Sequence, residues 1–352
     1  KNSMDFKNKL TYWYPNNKRD LPWRNTQNPY HIWLSEIILQ QTQVKQGLPY
    51  YDAFIKQYPT VFDLANASEE EVLKLWQGLG YYSRARNLHT TAKHVASELN
   101  GHFPNNYKDL LKLKGVGDYT ASAIASIAFN QVAAVVDGNV YRVLSRYFGI
   151  KTPINSTDGI KEFKKLASNL IDKEQPATFN QAIMEFGATQ CKPKNPNCTV
   201  CPLNDSCIAL QKDMIEFLPV KLKKTTVKTR FFNFLVCIDN NKNTFLEKRT
   251  SKGIWQNLYQ FPLLESHKSL SSEEFHLLNT EDSVLNNLKF DYSLYNTEDK
   301  VHKLSHQHLY TKFWIIETKE LPNNSIAIKE IKNYPVPVLI SSFIDAFNFN
   351  DL

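Results

Sequence analysis

The sequence predicts two kinds of structure in one chain, a mostly α-helical N-terminal region and an α+β C-terminal region. Three observations predict it. Apolar residues recur at helical spacing through most of residues 5–188. Past residue 230 the pattern becomes short runs rich in aromatic and β-branched residues, FFNFLVCI at 231–238 and a second near 308–317. Between the two patterns stand four cysteines within residues 191–207, then a basic stretch without acids.

A chain of 352 residues has room for two or three domains with their own cores. Its 42% hydrophobic and 22% charged residues are ordinary for a soluble globular protein. No apolar run reaches the ~20 residues of a membrane span. The opening KNSMDFKNKL lacks the apolar core of a signal peptide, so the expected location is cytoplasmic, on the nucleoid if the source is bacterial. A net charge of +7 suits a polyanionic partner without demanding one. Five cysteines, four of them clustered, read as a metal site rather than a disulfide framework.

In chain order, residues 5–14 form an amphipathic helix with Phe6, Leu10 and Trp13 on one side. Pro22 in DLPWR then stops it, with Trp23 beside Arg24. Residues 35–44, SEIILQQTQV, continue a helical pattern. Glu36 there is either an exposed helix acid or, amid Ile37, Ile38 and Leu39, a buried carboxyl that holds its proton. A further helix is expected over 60–73, with a capping box from Ser68 to Glu71. GLGYYSRARN at 78–87 sets Tyr81 and Tyr82 beside Arg84 and Arg86, as a nucleic-acid face or an ordinary helix surface would.

The stretch 113–139, LKGVGDYTASAIASIAFNQVAAVVDGN, organises the rest. Gly115 and Gly117 flank Val116 in a tight turn, for which positive φ is expected. An Ala/Ser-rich helix runs from about Asp118 to Phe129, and its leading N–H groups are suited to a phosphate. Asp137 or Asn139 caps the next helix, where local N–H groups favour an ionised carboxylate. Helices follow over 160–172 and 177–188. The cysteines Cys191, Cys198, Cys201 and Cys207 are spaced C-x6-C-x2-C-x5-C, and on chemistry alone zinc and an iron–sulfur cluster are both open.

Together these residues resemble one family. C-x6-C-x2-C-x5-C after a helix-hairpin-helix is similar to the iron–sulfur base-excision glycosylases related to endonuclease III. Within them, LPWR, WLSEIILQQTQV, LWQGLGYYSRARN, LKGVGDYTA and VDGNVYRV resemble a MutY-type adenine DNA glycosylase. The resemblance implies a 4Fe-4S cluster on the four cysteines and a helix-hairpin-helix glycosylase fold over 1–217. It implies excision of adenine opposite 8-oxoguanine or guanine in double-stranded DNA, by a monomer with no membrane partner. Glu36 would protonate adenine and Asp137 would stabilise the sugar cation, with Tyr119 and Asn139 holding them. Tyr81 would wedge into the duplex, Gln41 and Thr42 would lie near 8-oxoguanine, and Arg24, Leu39 and Gln181 would line the adenine pocket. Gly115, Val116 and Gly117 would offer amides to a phosphate.

Tyr119 stands where the endonuclease III branch carries a nucleophilic lysine, and a phenol forms no Schiff base. The resemblance therefore implies a monofunctional hydrolase; the rivals are a bifunctional glycosylase/lyase and a non-catalytic DNA-damage binder. Lys114 replaces a proline common in relatives, and Asp118 puts an acid that would repel a phosphate beside the turn. Residues 218–230 read as a basic, loosely structured connector. Beyond it, 231–352 resembles a Nudix-like recognition domain: a β-hairpin over 231–248, a helical piece near 271–288, a strand near 308–317 and a helix from 337. The acid-rich Nudix helix is missing from the sequence, so no pyrophosphatase activity and no Mg²⁺ are expected. Ser305 and His306, after Leu304, resemble the loop that inspects 8-oxoguanine, and Cys237 reads as core.

Overall fold

The computed structural model of the chain describes residues 2–223 and 226–351; Lys1, Leu352 and two connector residues, Lys224 and Thr225, lie outside the described residues. The chain divides into two compact units, Lys1–Asn66 with Asn87–Lys223, and Ala67–Arg86 with Lys224–Leu352. Its helices are α1 Asn2–Asn17, α2 Pro29–Leu39, α3 Val44–Gln57, α4 Val61–Asn66, α5 Glu69–Trp76, α6 Ser83–Glu98, α7 Tyr107–Leu110, α8 Asp118–Phe129, α9 Gly138–Phe148, α10 Thr157–Leu170, α11 Pro176–Thr189, α12 Ile208–Gln211 and α13 Val338–Ala346. The strands are β1 Lys228–Asp239, β2 Asn243–Thr244, β3 Glu247–Lys248, β4 Tyr259–Gln260, β5 Leu263–Ser266, β6 Phe290–Leu294, β7 Lys300–Lys303, β8 Gln307–Thr318 and β9 Ile326–Ala327. Among the described residues, no helix is long and apolar enough to cross a membrane.

The first unit is built around α8. Every residue from Thr120 to Ile127 is buried, because small Ala and Ser side chains let α2 and α11 close on the helix from different sides. Gly117 opens the helix and Asn130, in the left-handed region at φ 54°, ends it. Asn28 caps α2 by accepting from the Tyr30 amide, with Pro29 in the first turn. The helix expected over 35–44 stops at Leu39: Thr42 N–H returns to the Leu39 carbonyl at 3.2 Å, and Gln41 takes φ 55°. The helix expected over 60–73 is likewise two, α4 and α5. They part at Ser68, whose capping box is formed, with Glu71 N–H donating to Ser68 Oγ at 3.1 Å and Ser68 N–H to Glu71 Oε2 at 2.7 Å.

The start of the basic connector is not loose. Ile154 N–H donates to Val220 O at 2.9 Å, and Asn155 both accepts from Leu222 N–H at 2.8 Å and donates to Leu222 O at 3.1 Å.

In the second unit β1 and β8 run parallel at the centre of a seven-stranded sheet, with Phe234 opposite Phe313. From Phe232 on, both faces of β1 are covered, which explains a run that is apolar but for Asn233, whose Oδ1 accepts from Trp314 Nε1. On one face Phe343 of α13 stacks on Phe313, with ring centroids 4.2 Å apart. On the other, Leu235, Cys237, Trp314 and Ile316 pack with Leu270, Phe275, Leu278 and Leu285. Cys237 is core, as expected. The expected hairpin forms only in part: β2 pairs with β1 at Ile238 and Thr244, but β3 leaves to pair with β4. The helical piece expected near 271–288 reduces to a single 3-10 stretch, Ser272–Leu277.

Candidate active site

One pocket of about 720 Å³ in the first unit gathers most of the predicted residues. Glu36 reaches it from α2, Tyr119 from the first turn of α8, and Asp137 from the head of α9. Arg24, Leu39, Gln41, Thr42, Gly117, Asn139 and Gln181 line it as well. Gly115 and Val116 do not line it, and Tyr81, Ser305 and His306 belong to the other unit.

The two carboxyls sit in different surroundings. Burial pushes Glu36 up to about 7; the Tyr119 hydroxyl opposes this, the charge of Asp137 adds to it, and Arg24 opposes it. Glu36 therefore keeps a proton near neutrality. Burial also raises Asp137, but donors counter it. The Val140 amide donates to Asp137 Oδ1 at 2.8 Å, as the N-cap of α9 requires, and Asn139 Nδ2 donates to Oδ2 at 3.1 Å. Glu36 is buried with one hydroxyl donor, Tyr119, whereas Asp137 accepts from two N–H groups. Asp137 remains raised above the ordinary carboxylate range, but its N–H donors favour the charged form, which is the difference between the two carboxyls.

Sequence reasoning missed Arg142, which governs Asn139. Arg142 Nη2 donates to Asn139 Oδ1 at 2.8 Å and to Gly187 O at 2.6 Å, while Nε donates to Cys191 O at 2.8 Å. With its oxygen held by Arg142, Asn139 turns its amide nitrogen to Asp137. The only sequence cue was Arg142 three residues after Asn139 on one helix face. Glu185 was missed too: it is fully buried on α11 and ion-paired to Arg19 and Arg24. The Tyr119 hydroxyl lies 3.2 Å from Met184 Sδ, and the Tyr14 hydroxyl donates to Gln181 Oε1 at 2.8 Å.

At the hairpin turn, Gly115 takes φ +80°, and a Cβ there would meet Asn87 Cβ at 2.9 Å. Gly117 departs from expectation, with extended backbone at φ −97° and ψ −172°. The Val116 amide donates to Leu113 O at 3.2 Å and its side chain is buried, so its N–H is spent inside the turn rather than offered outward. Asp118 is less repulsive to an anion than its charge implies. The Tyr107 hydroxyl donates to it at 2.6 Å and Lys164 Nζ lies 3.1 Å away.

Cys191, Cys198, Cys201 and Cys207 all line one small pocket beside α9 and α11. Arg146 fastens the loop there by donating to the carbonyls of Lys192 at 2.7 Å and Pro193 at 3.0 Å. Burial, with the neighbouring thiols, pushes Cys201 up to about 12 and raises Cys198 and Cys207, so binding a metal centre there would release protons. Among the described residues no three such side chains converge on one point. Four thiols lining one shared pocket supply the all-cysteine donor set that a 4Fe-4S cluster takes.

In the second unit, Tyr81 is about half exposed (48%) with φ 45°, and its hydroxyl hydrogen-bonds the Ser305 hydroxyl. Ser305 and His306 are exposed on the turn between β7 and β8, which Leu304 N–H closes onto Gln307 O at 2.9 Å.

Comparison with known proteins agrees with this geometry. Residues 34–169 match the HhH-GPD superfamily base excision DNA repair protein model, 191–207 the iron–sulfur binding domain of endonuclease III, and 233–346 the NUDIX domain. The adenine DNA glycosylase of Buchnera aphidicola subsp. Baizongia pistaciae is 38% identical over 326 residues, covering 90% of this chain and 88% of that protein. The chain belongs to the MutY-type adenine DNA glycosylase family. The adenine DNA glycosylase of Mus musculus is 48% identical over 216 residues, 59% of this chain and 42% of that protein. Among solved structures, a thermostable thymine-DNA glycosylase aligns at TM-score 0.56 and 33% identity, over 60% of this chain and 97% of that one. A non-covalent endonuclease III–DNA complex aligns at TM-score 0.52 and 25% identity, over 59% and 94%. As a member of this family the protein is a base-excision DNA glycosylase, a hydrolase of N-glycosyl bonds whose partner is DNA and whose cofactor is a 4Fe-4S cluster.

Proposed function

We propose that this protein removes adenine mispaired with 8-oxoguanine or guanine from duplex DNA, as a cytoplasmic monomer and without cutting the strand. Residues 1–217 are the catalytic domain in this reading, 218–230 the connector and 231–352 the recognition domain. The observation that carries it is the pair of unlike carboxyls on one pocket, Glu36 pushed up to about 7 and Asp137 held by N–H donors. Breaking the bond between adenine and deoxyribose needs a proton on the departing base and a negative charge facing the oxocarbenium-like sugar. Glu36 gives its proton to adenine N7, the bond to the sugar breaks, and Asp137 stabilises the cation until water adds.

Tyr119 and Asn139 hold the two acids in place. Tyr119 also supports a monofunctional reaction, because a phenol offers no amine for a Schiff base. Adenine reaches the pocket only when flipped from the duplex. Arg24, Leu39 and Gln181 then surround it, with Gln41 and Thr42 toward 8-oxoguanine. Tyr81 fills the gap, Ser305 and His306 read the lesion, and the turn at 115–117 holds a phosphate through Gly115 and Gly117. Cys191, Cys198, Cys201 and Cys207 would hold the cluster, which when bound cross-links the loop 191–207.

Incubation with duplexes carrying adenine opposite 8-oxoguanine, guanine or thymine tests the reading. Adenine release is expected from the first two, with no covalent complex on borohydride treatment. No adenine release from those two duplexes, or a covalent adduct trapped by borohydride, contradicts it.

A further inference from the structure

Resting on the reading of this pocket as the adenine site, we propose that Glu185 is a positioning residue for base release, holding Arg24 against the pocket and offsetting its charge. Glu185 is fully buried on α11 and does not line the cavity. It pairs with Arg19 through Nε and with Arg24 through Nη2. Arg24 Nη1 donates back to the Arg19 carbonyl at 2.9 Å, so the guanidinium that lines the pocket is fixed at both ends. A buried carboxylate costs several kcal/mol to desolvate and persists only with opposite charge close by; Oε1 accepts from Arg19 Nε, and Oε2 faces Arg24 Nη2 as an ion pair without hydrogen-bond alignment. Here the partners are two cations against one acid.

The consequence is electrostatic as well as steric. Glu36 is faced by Tyr119 of α8, Asp137 at the head of α9 and Arg24 from the turn Pro22–Arg24. Of these, Tyr119 and, less strongly, Arg24 draw the proton off Glu36. Around Glu185 stand Arg19, Arg24 and, beside Arg24, Tyr14 of α1; Arg142 of α9 bonds the Gly187 carbonyl one half-turn on. Neutralising Glu185 leaves both arginine charges unopposed, which favours ionised Glu36. The sign follows: a general acid works while protonated, so the alkaline limb of the rate profile moves to lower pH.

The test is single-turnover adenine release by the holoenzyme across neutral pH, with binding to the same duplex measured in parallel. Glu185→Gln should slow release about tenfold, shift the alkaline limb to lower pH and leave binding within about twofold; Glu185→Asp should restore most of both. A Glu185→Gln profile superimposable on the parent overturns the proposal. If that variant does not fold, Arg24→Lys decides: it keeps the charge and loses the fork, so slower release with an unmoved limb is expected, and an unchanged rate overturns the proposal. A parent that releases no adenine refutes the pocket's assignment instead.

Discussion

The pocket of the first unit and the β7–β8 turn of the second handle polar groups in opposite ways. Around Asp137 the polar groups restrain one another, down to the Asn139 amide that Arg142 orients. At Ser305 and His306 the side chains are exposed, and Ser305 meets another exposed side chain, Tyr81. Bond breaking needs carboxyls held in unlike protonation states, which only a low-dielectric, preorganised site provides. Reading a lesion needs groups that exchange water or each other for the lesion, at about 1 kcal/mol per hydrogen bond. Loss of chemistry should therefore be abrupt and loss of discrimination graded.

The largest effects should come from the acids. Glu36→Gln or Asp137→Asn should slow adenine release by about 10³-fold or more, with duplex binding largely retained in gel-shift titrations. Single-turnover activity within tenfold of the parent would remove that residue from the mechanism. Next is Gly187→Ala. The added Cβ would lie 2.7 Å from Asn139 Cβ and 2.9 Å from its carbonyl oxygen, so α9 must shift at the residue that holds Asp137. A loss on the order of 10²-fold in release is expected, with near-normal binding; full activity would show that Asn139 tolerates displacement.

Replacing both Ser305 and His306 with alanine should reduce the preference for 8-oxoguanine over guanine by about fivefold to tenfold, measured as the ratio of release rates. An unchanged ratio would place lesion reading elsewhere. The smallest effect is on stability. Glu36 binds its proton more tightly folded than unfolded, so the parent loses stability as pH rises from its ordinary range through about 7. Glu36→Gln cannot ionise and should be the more stable protein at alkaline pH, by on the order of 2 kcal/mol, with the gap closing in acid. Coincident thermal melts at both pH values would show that Glu36 is not desolvated.

What could be read from the sequence was what the chain encodes locally. Helix α8 was legible because Gly117 and Asn130 mark its ends, and Asp137 because a cap acts on its own helix. The break at Gln40 was hidden because QQTQ suits a helix as well as a turn, and Gln41 enters the left-handed region without a glycine to signal it. Leu278 and Leu285 mimicked a helical stripe, but they pack from irregular backbone into the core over Trp314. Glu185 was illegible because its partner Arg19 lies 166 residues away, and Arg142 because what fixes it, the Gly187 and Cys191 carbonyls, lies 45 and 49 residues away, although Asn139 is only three. Asp118 was half read: its charge was plain, and Lys164, which offsets it, was not.

The central claim, that Glu36 delivers a proton it holds near neutrality, is tested most directly by the pH dependence of single-turnover adenine release from an adenine–8-oxoguanine duplex. The expected rate is level in mild acid and falls tenfold per pH unit above about 7, a limb absent from the residual rate of Glu36→Gln. A rate that stays level through that range, or a limb that survives the substitution, contradicts it.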